Sequence, residues 1–183
     1  MTKLIPLLLL AALAGCEDQY QPGAMYLATT PECKTWTDAS RFALPQQNAV
    51  FAATPTTYNA TMVDLNLTYL LARGKDVKFT SLQYDVTAPH GPVLGRGVVV
   101  YVDRRATGSA PKETERLDKL PVLLRADASS ADTMYRVRVR FTGKLPERFD
   151  LTPPPMQING KNYPVRTFTY RLFSDKNGYG LCT

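Results

Sequence analysis

From about residue 60 onward, hydrophobic positions recur in this chain with a period of two. Val63, Leu65, Leu67, Tyr69 and Leu71 alternate with Asp64, Asn66, Thr68 and Leu70, the pattern of a strand with one face buried. Tyr135, Val137, Val139 and Phe141 alternate with Arg136, Arg138 and Arg140 in the same way and give the clearest strand of the chain. Between them, Arg73-Gly74-Lys75-Asp76 reads as a turn. Val77 and Phe79 then fall on one phase and Leu82, Tyr84 and Val86 on the other, which predicts a bulge near Thr80-Ser81. Ala88-Pro89-His90-Gly91-Pro92 reads as a loop, and the continuous apolar run Val98 to Val102 suits a central strand covered on both faces.

The pattern breaks over residues 104–132. Pro111 to Lys119 has the composition of a short helix, with proline tolerated in its first turn. Leu120 to Leu124 reads as a short strand and Ala126 to Asp132 as a loop. Asn159-Gly160 lies between Met156-Gln-Ile158 and Lys161-Asn-Tyr163. It is a strong hairpin signal, because both central residues of a type I′ turn need positive φ. Val165 to Phe173 predicts a last strand. About seven strands, short turns and little helix place the chain in the all-β class as a β-sandwich, immunoglobulin-like or similar. A small barrel, or an α+β sandwich using residues 34–50 as a helix, is the alternative. Trp36 lies only three residues after Cys33, which does not fit the immunoglobulin Cys-Trp-Cys spacing.

The first residues follow a different rule. Lys3 is a short positive region, and Leu4 to Ala14 is an apolar stretch. It is too short for a helix spanning ~30 Å of hydrocarbon, which takes about 20 residues, but it fits the apolar region of a signal peptide. It ends in Leu13-Ala14-Gly15-Cys16, which resembles the lipobox of bacterial lipoproteins. The resemblance covers only the leader. It implies cleavage after Gly15 and a diacylated Cys16. Each buried methylene contributes about 0.8 kcal/mol, so two or three chains on one cysteine hold where a single chain binds marginally. The resemblance also implies the periplasmic face of a bacterial envelope. Glu17 stands where the family carries an inner-membrane retention aspartate, so the outer membrane is expected rather than the inner. Domain boundaries follow: 1–15 leader, 16–31 acylated cysteine and a polar tether, 32–183 one β-rich domain.

Cysteine counting agrees with this picture. Three cysteines is an odd number. With Cys16 acylated, Cys33 and Cys182 remain, and an oxidising compartment predicts a Cys33–Cys182 disulfide. In the chain-entropy account so long a loop is stabilised by about 4–5 kcal/mol. The formal net charge is +6, and Lys3 leaves with the leader. That modest basicity suits an acidic partner and lacks any nucleic-acid-binding motif.

Candidate chemistry is sparse, and no catalytic residue, cofactor or metal site is expected. His90 is the only histidine, and no Gly-x-Ser-x-Gly turn offers it a nucleophile. Asp175-Lys-Asn177-Gly178 lacks the further ligands of a calcium loop and reads as a turn. Glu113, Glu115 and Asp118 sit among Lys112, Arg116 and Lys119, as on a solvated, ion-paired surface. Asn59-Ala-Thr61 and Asn66-Leu-Thr68 match glycosylation sequons by chance. Arg136, Arg138 and Arg140 remain, about 6.8 Å apart on one strand face. They are either charges that deter edge association or a docking stripe for an acidic protein. Tyr135, Tyr163, Tyr170 and Tyr179 are divided between core and contact surface. These features favour a non-enzymatic binding lipoprotein, in its most concrete form an immunity or inhibitor protein against an envelope-acting effector. A structural accessory of a secretion or assembly machine and a peptidoglycan or lipid hydrolase are the alternatives.

Overall fold

The structure is a computed structural model. It describes residues 24–174 except 39, 46–47, 53–54, 60, 107–111, 116–122, 127–131 and 164–165. The leader, Cys16, Tyr179, Cys182 and the Asp175–Gly178 turn therefore lie outside the described residues, as do Arg116, Asp118 and Lys119.

The first strands are β1 (Met25–Thr29), β2 (Arg41–Leu44), β3 (Asn48–Ala52), β4 (Thr56–Asn59) and β5 (Met62–Ala72). Next come β6 (Asp76–Phe79), β7 (Gln83–Thr87), β8 (Val93–Ala106), β9 (Lys112–Glu115) and β10 (Leu123–Arg125). The chain continues through β11 (Asp132–Thr142), β12 (Arg148–Thr152), β13 (Met156–Ile158), β14 (Lys161–Tyr163) and β15 (Phe168–Phe173). No helix occurs among the described residues. The protein is all-β, in a sandwich-like, nearly barrel-closed arrangement of two antiparallel sheets. The large sheet runs β1-β15-β12-β7-β8-β11-β5-β3-β2, with β4 beside β5 and β9 beside β8. The small sheet runs β10-β6-β13-β14.

The two most regular stretches of sequence lie side by side. β11 pairs with β5 along its full length, so Leu65, Leu67 and Tyr69 oppose Val139, Val137 and Tyr135. All six are buried, as strands with one polar face require. The large sheet curls until its two ends approach. Phe42 of β2 meets Phe168 of β15 at 4.9 Å between ring centroids. The Thr30 hydroxyl donates to the Arg41 carbonyl at 2.7 Å, and the Ala43 N–H donates to the Glu32 carboxylate at 2.7 Å. Side chains that follow β1 thus bond to the backbone of β2, and Glu32 also pairs with Arg166.

The small sheet packs on the same core. Val77, Phe79, Leu124, Met156 and Ile158 join Leu67, Tyr69 and Val137 in one buried cluster. Phe79 meets Tyr69 edge-on at 5.2 Å. The Tyr135 hydroxyl donates to the Arg125 carbonyl at 2.8 Å and accepts the Arg125 N–H at 3.1 Å. The Asn-Gly hairpin is β13–β14, with φ of 50° at Asn159 and 78° at Gly160, as a type I′ turn demands.

Several sequence expectations change. The strands number fifteen among the described residues rather than about seven, because β1 to β4, β9 and β12 lie in stretches where the sequence shows no clear alternation, and β6 and β7 are separate strands. The phase change after Phe79 is not a bulge: β6 belongs to the small sheet and β7 to the large one, so the chain switches layers there. Lys112 to Glu115 is a strand on β8 rather than part of a helix. Pairing with the long β8 overrides helix propensity, and a charged sequence suits a strand at the margin of a sheet. Residues 34–50 contain β2 and β3 in place of the alternative helix. β1 lies inside the stretch read as tether, so the folded part begins by Met25. Finally, the apolar run Val98 to Val102 is not covered on both faces. Val102 is buried but Val98 is 56% exposed, and the register slips between its partners Arg138 and Val139.

Candidate functional site

The three arginines of β11 lie on the outer face of the large sheet, opposite the phase of Tyr135, Val137, Val139 and Phe141. Antiparallel register gives each one two neighbours. Arg136 stands between Thr68 of β5 and Asp103 of β8. Arg138 stands between Asn66 and Tyr101, and Arg140 between Asp64 and Val98. The sequence presents these residues as one row, but the sheet gives each a different setting.

Arg140 is committed inside the protein. Its Nε and one terminal nitrogen donate to the two Asp64 carboxylate oxygens at 2.7 and 2.8 Å. The Asp64 side chain is only 7% exposed and the Arg140 side chain 24%. A carboxylate so far out of water needs such a bidentate partner. Arg140 is therefore a structural cation, not part of an open docking stripe. Arg138 is half-committed. Its guanidinium lies over the Tyr101 ring at 5.2 Å, and its Nε donates to the Asn66 side-chain oxygen at 3.5 Å. Tyr101 in turn donates to the Asp103 carboxylate at 3.3 Å. Arg136 is exposed and is the arginine of the three most open to solvent.

The sequence reading missed the apolar residues that accompany these arginines. Among the described residues the exposed large hydrophobics are Val93 (49%), Leu94 (52%), Val98 (56%) and Met134 (37%). All lie on β8 or its neighbour β11. Val98 and Met134 mark two ends of a patch about 20 Å long, from the strand rise of about 3.4 Å per residue. Arg136, Arg138 and Tyr101 lie between them. Arg96 extends the patch along β8, paired with Asp85 at 3.4 Å. Arginine, tyrosine and methionine among exposed aliphatics make the composition of an interface core. The only hint in the sequence was the apolar run that includes Val98, and it pointed inward.

The remaining candidates are scattered. His90 is exposed in the β7–β8 turn with φ of 57°. Glu113 and Glu115 lie on β9 with Lys112, and Arg116, Asp118 and Lys119 are outside the described residues. Cys33 is buried, and its proposed partner Cys182 is outside them too. Tyr135 and Tyr170 are core residues and Tyr163 is half-buried. No group of three His, Cys, Asp or Glu among the described residues is placed to hold a metal ion. No protein-family model matches this chain, and a search of curated proteins finds no match.

Proposed function

We propose that this chain is a lipid-anchored protein of the bacterial envelope whose β-domain faces the periplasm and binds a protein partner non-enzymatically. Its most concrete form is an immunity or inhibitor protein that neutralises an envelope-acting effector. The observation that carries the binding role is that all four exposed large hydrophobics of the described surface lie on the adjacent strands β8 and β11, with Val98 and Met134 on either side of Arg136 and Arg138 and with Val93 and Leu94 further along β8. Isolated exposed aliphatics are ordinary, but a group of them on adjacent strands marks a contact surface. The continuous β5–β11 ladder, with β8 paired on the other side of β11, holds that surface in one shape, which lowers the ordering cost of association. Arg136 and Arg138 favour an acidic partner. Arg140 has no part in this, since Asp64 neutralises it.

The lipobox supports anchoring through Cys16 on the outer membrane, and the oxidising compartment supports a Cys33–Cys182 disulfide. Mass spectrometry tests both: an acylated N-terminal Cys16 and a linked Cys33–Cys182 peptide pair are expected, and free thiols at both positions would remove the disulfide.

Crosslinking from native envelopes tests the function. One stoichiometric acidic partner is expected, and it should be lost when Arg136→Glu and Arg138→Glu are combined. A toxin as partner supports the inhibitor form, whereas a component of a secretion machine supports a structural accessory instead. Retention of the partner by the doubly reversed variant would remove this face from the argument. Peptidoglycan or lipid hydrolysis abolished by replacing one carboxylate would overturn the non-enzymatic reading.

A further inference from the structure

A second feature lies away from the β8–β11 patch. A cavity of about 310 Å³ is set between β1, the start of β5 and the loop that joins β11 to β12. That is the lower end of the range of pockets that take a small organic molecule. Tyr26, Pro55, Val63 and Leu145 give it apolar walls.

The polar groups are few, and those left over from the protein's own hydrogen bonds are donors. The Tyr26 hydroxyl faces the carbonyls of Leu145 and Pro146, each at 3.1 Å, so it is already engaged. Burial, and then the nearby Glu147 carboxylate, push its pKa up from the ordinary value, which keeps it a neutral donor. The side-chain oxygen of Asn59 accepts from the Thr61 N–H at 2.9 Å and the Thr61 hydroxyl at 3.1 Å. This leaves the Asn59 NH₂ and the Lys144 ammonium, which have no hydrogen-bond or ion-pair partner among the described residues. Both are donors. They belong to one corner of the cavity, because the Gly143 N–H donates to the Thr61 carbonyl at 2.7 Å and so holds the Gly143–Lys144 turn against the Asn59–Thr61 turn.

An apolar chamber whose spare polar groups are a cation and an amide donor selects for an anion with an apolar body. The ammonium would repel a cation, and a neutral alcohol would gain no charge-assisted hydrogen bond from it. We propose that this cavity binds a small apolar carboxylate, of the size of a medium-chain fatty acid, with its carboxylate at Lys144 and Asn59 and its hydrocarbon against Tyr26, Val63 and Leu145. This site is independent of the protein-binding face and stands or falls without it.

The test is a titration of the full chain with octanoate, octanol and octylamine, followed by amide chemical shifts in ¹H–¹⁵N spectra. Octanoate is expected to shift the amides of Tyr26, Gly143, Lys144 and Leu145 in a saturable way, and to bind at least tenfold more tightly than either analogue. Lys144→Gln is expected to weaken octanoate tenfold or more while leaving the rest of the spectrum in place, since Lys144 is exposed. Equal binding of octanol or octylamine, unchanged octanoate affinity in Lys144→Gln, or no saturable shift at these amides would each overturn the proposal.

Discussion

Arg140 and Asp64 form a two-pronged ion pair across β11 and β5, at 2.7 and 2.8 Å, on the polar face of the sheet. Its position is unusual because Asp64 is nearly as buried as the core below it. Three arginines that look equivalent in the sequence are thereby divided. One neutralises a buried carboxylate, one lies over a ring, and one is open to solvent.

Asp64→Ala should therefore remove the carboxylate that Arg140 holds at two points and destabilise the fold by about 2–3 kcal/mol, less than a fully buried pair because Arg140 retains some water. Arg136→Ala, on the same strand, should change stability by no more than about 0.5 kcal/mol. Urea unfolding of the two variants checks the contrast. Equal effects would mean that the pair does not distinguish Arg140 from its neighbours.

Glu32 is one of the links that close the large sheet, since it accepts the Ala43 N–H and pairs with Arg166. In Glu32→Ala the amide of Ala43 should exchange with solvent faster by tenfold or more, while amides in the middle of β11 keep their protection. Glu32→Gln retains an acceptor and should restore much of that protection. Hydrogen exchange read residue by residue measures it, and uniform acceleration throughout the protein would indicate a global loss of stability instead of a local opening.

How far the sequence reached is visible in these same residues. Alternation in 63–71 and 135–141 gave the faces of β5 and β11, because each strand has one apolar and one polar side. The Asn159-Gly160 turn was legible because positive φ restricts residue choice so sharply. Pairing partners were not legible. That Asp64 meets Arg140, and that Val98 sits beside that pair, follows from register between segments about 40 to 80 residues apart, and no local pattern encodes it. The layer switch after Phe79 looked like a bulge for the same reason: a change of phase records that the inward side has changed, not which sheet the chain then joins. The cavity at Tyr26 draws on four separate segments, so its lining had no signature in any one of them.

Gly97 illustrates a requirement that only packing reveals. It lies on β8 opposite Tyr84, with its α-carbon facing the core. A Cβ there would overlap the Phe141 ring and a Val139 methyl. Both neighbours are buried and cannot move without displacing others. Gly97→Ala should cost about 1–3 kcal/mol through overpacking, although alanine suits a strand no worse than glycine does. Val139→Ala vacates one of the two overlaps at its own cost in buried surface, so the double variant should lose less than the sum of the two single losses, and thermal unfolding of the three variants would show whether it does.

The buried tyrosines predict how stability changes in alkali. Tyr69 and Tyr84 are fully buried, with their hydroxyls 3.0 Å apart, and Tyr170 is buried against Phe149. Burial raises the pKa of all three well above the ordinary 10.0. Below pH 10 the hydroxyls are neutral in both states and the effect is absent from the pH profile. As pH rises through 10 the unfolded chain releases protons that the folded chain retains, so stability falls. The slope is about 1.4 kcal/mol per pH unit for each group, or roughly 4 kcal/mol per unit for the three together. Urea midpoints between pH 9 and pH 11 should drop steeply in the wild-type protein. Tyr170→Phe should reduce that slope by about a third, and it leaves the Tyr69–Tyr84 hydroxyl pair in place. A wild-type midpoint that stays level above pH 10 would mean that these hydroxyls ionise as readily in the folded protein as in the unfolded chain, which their burial does not permit.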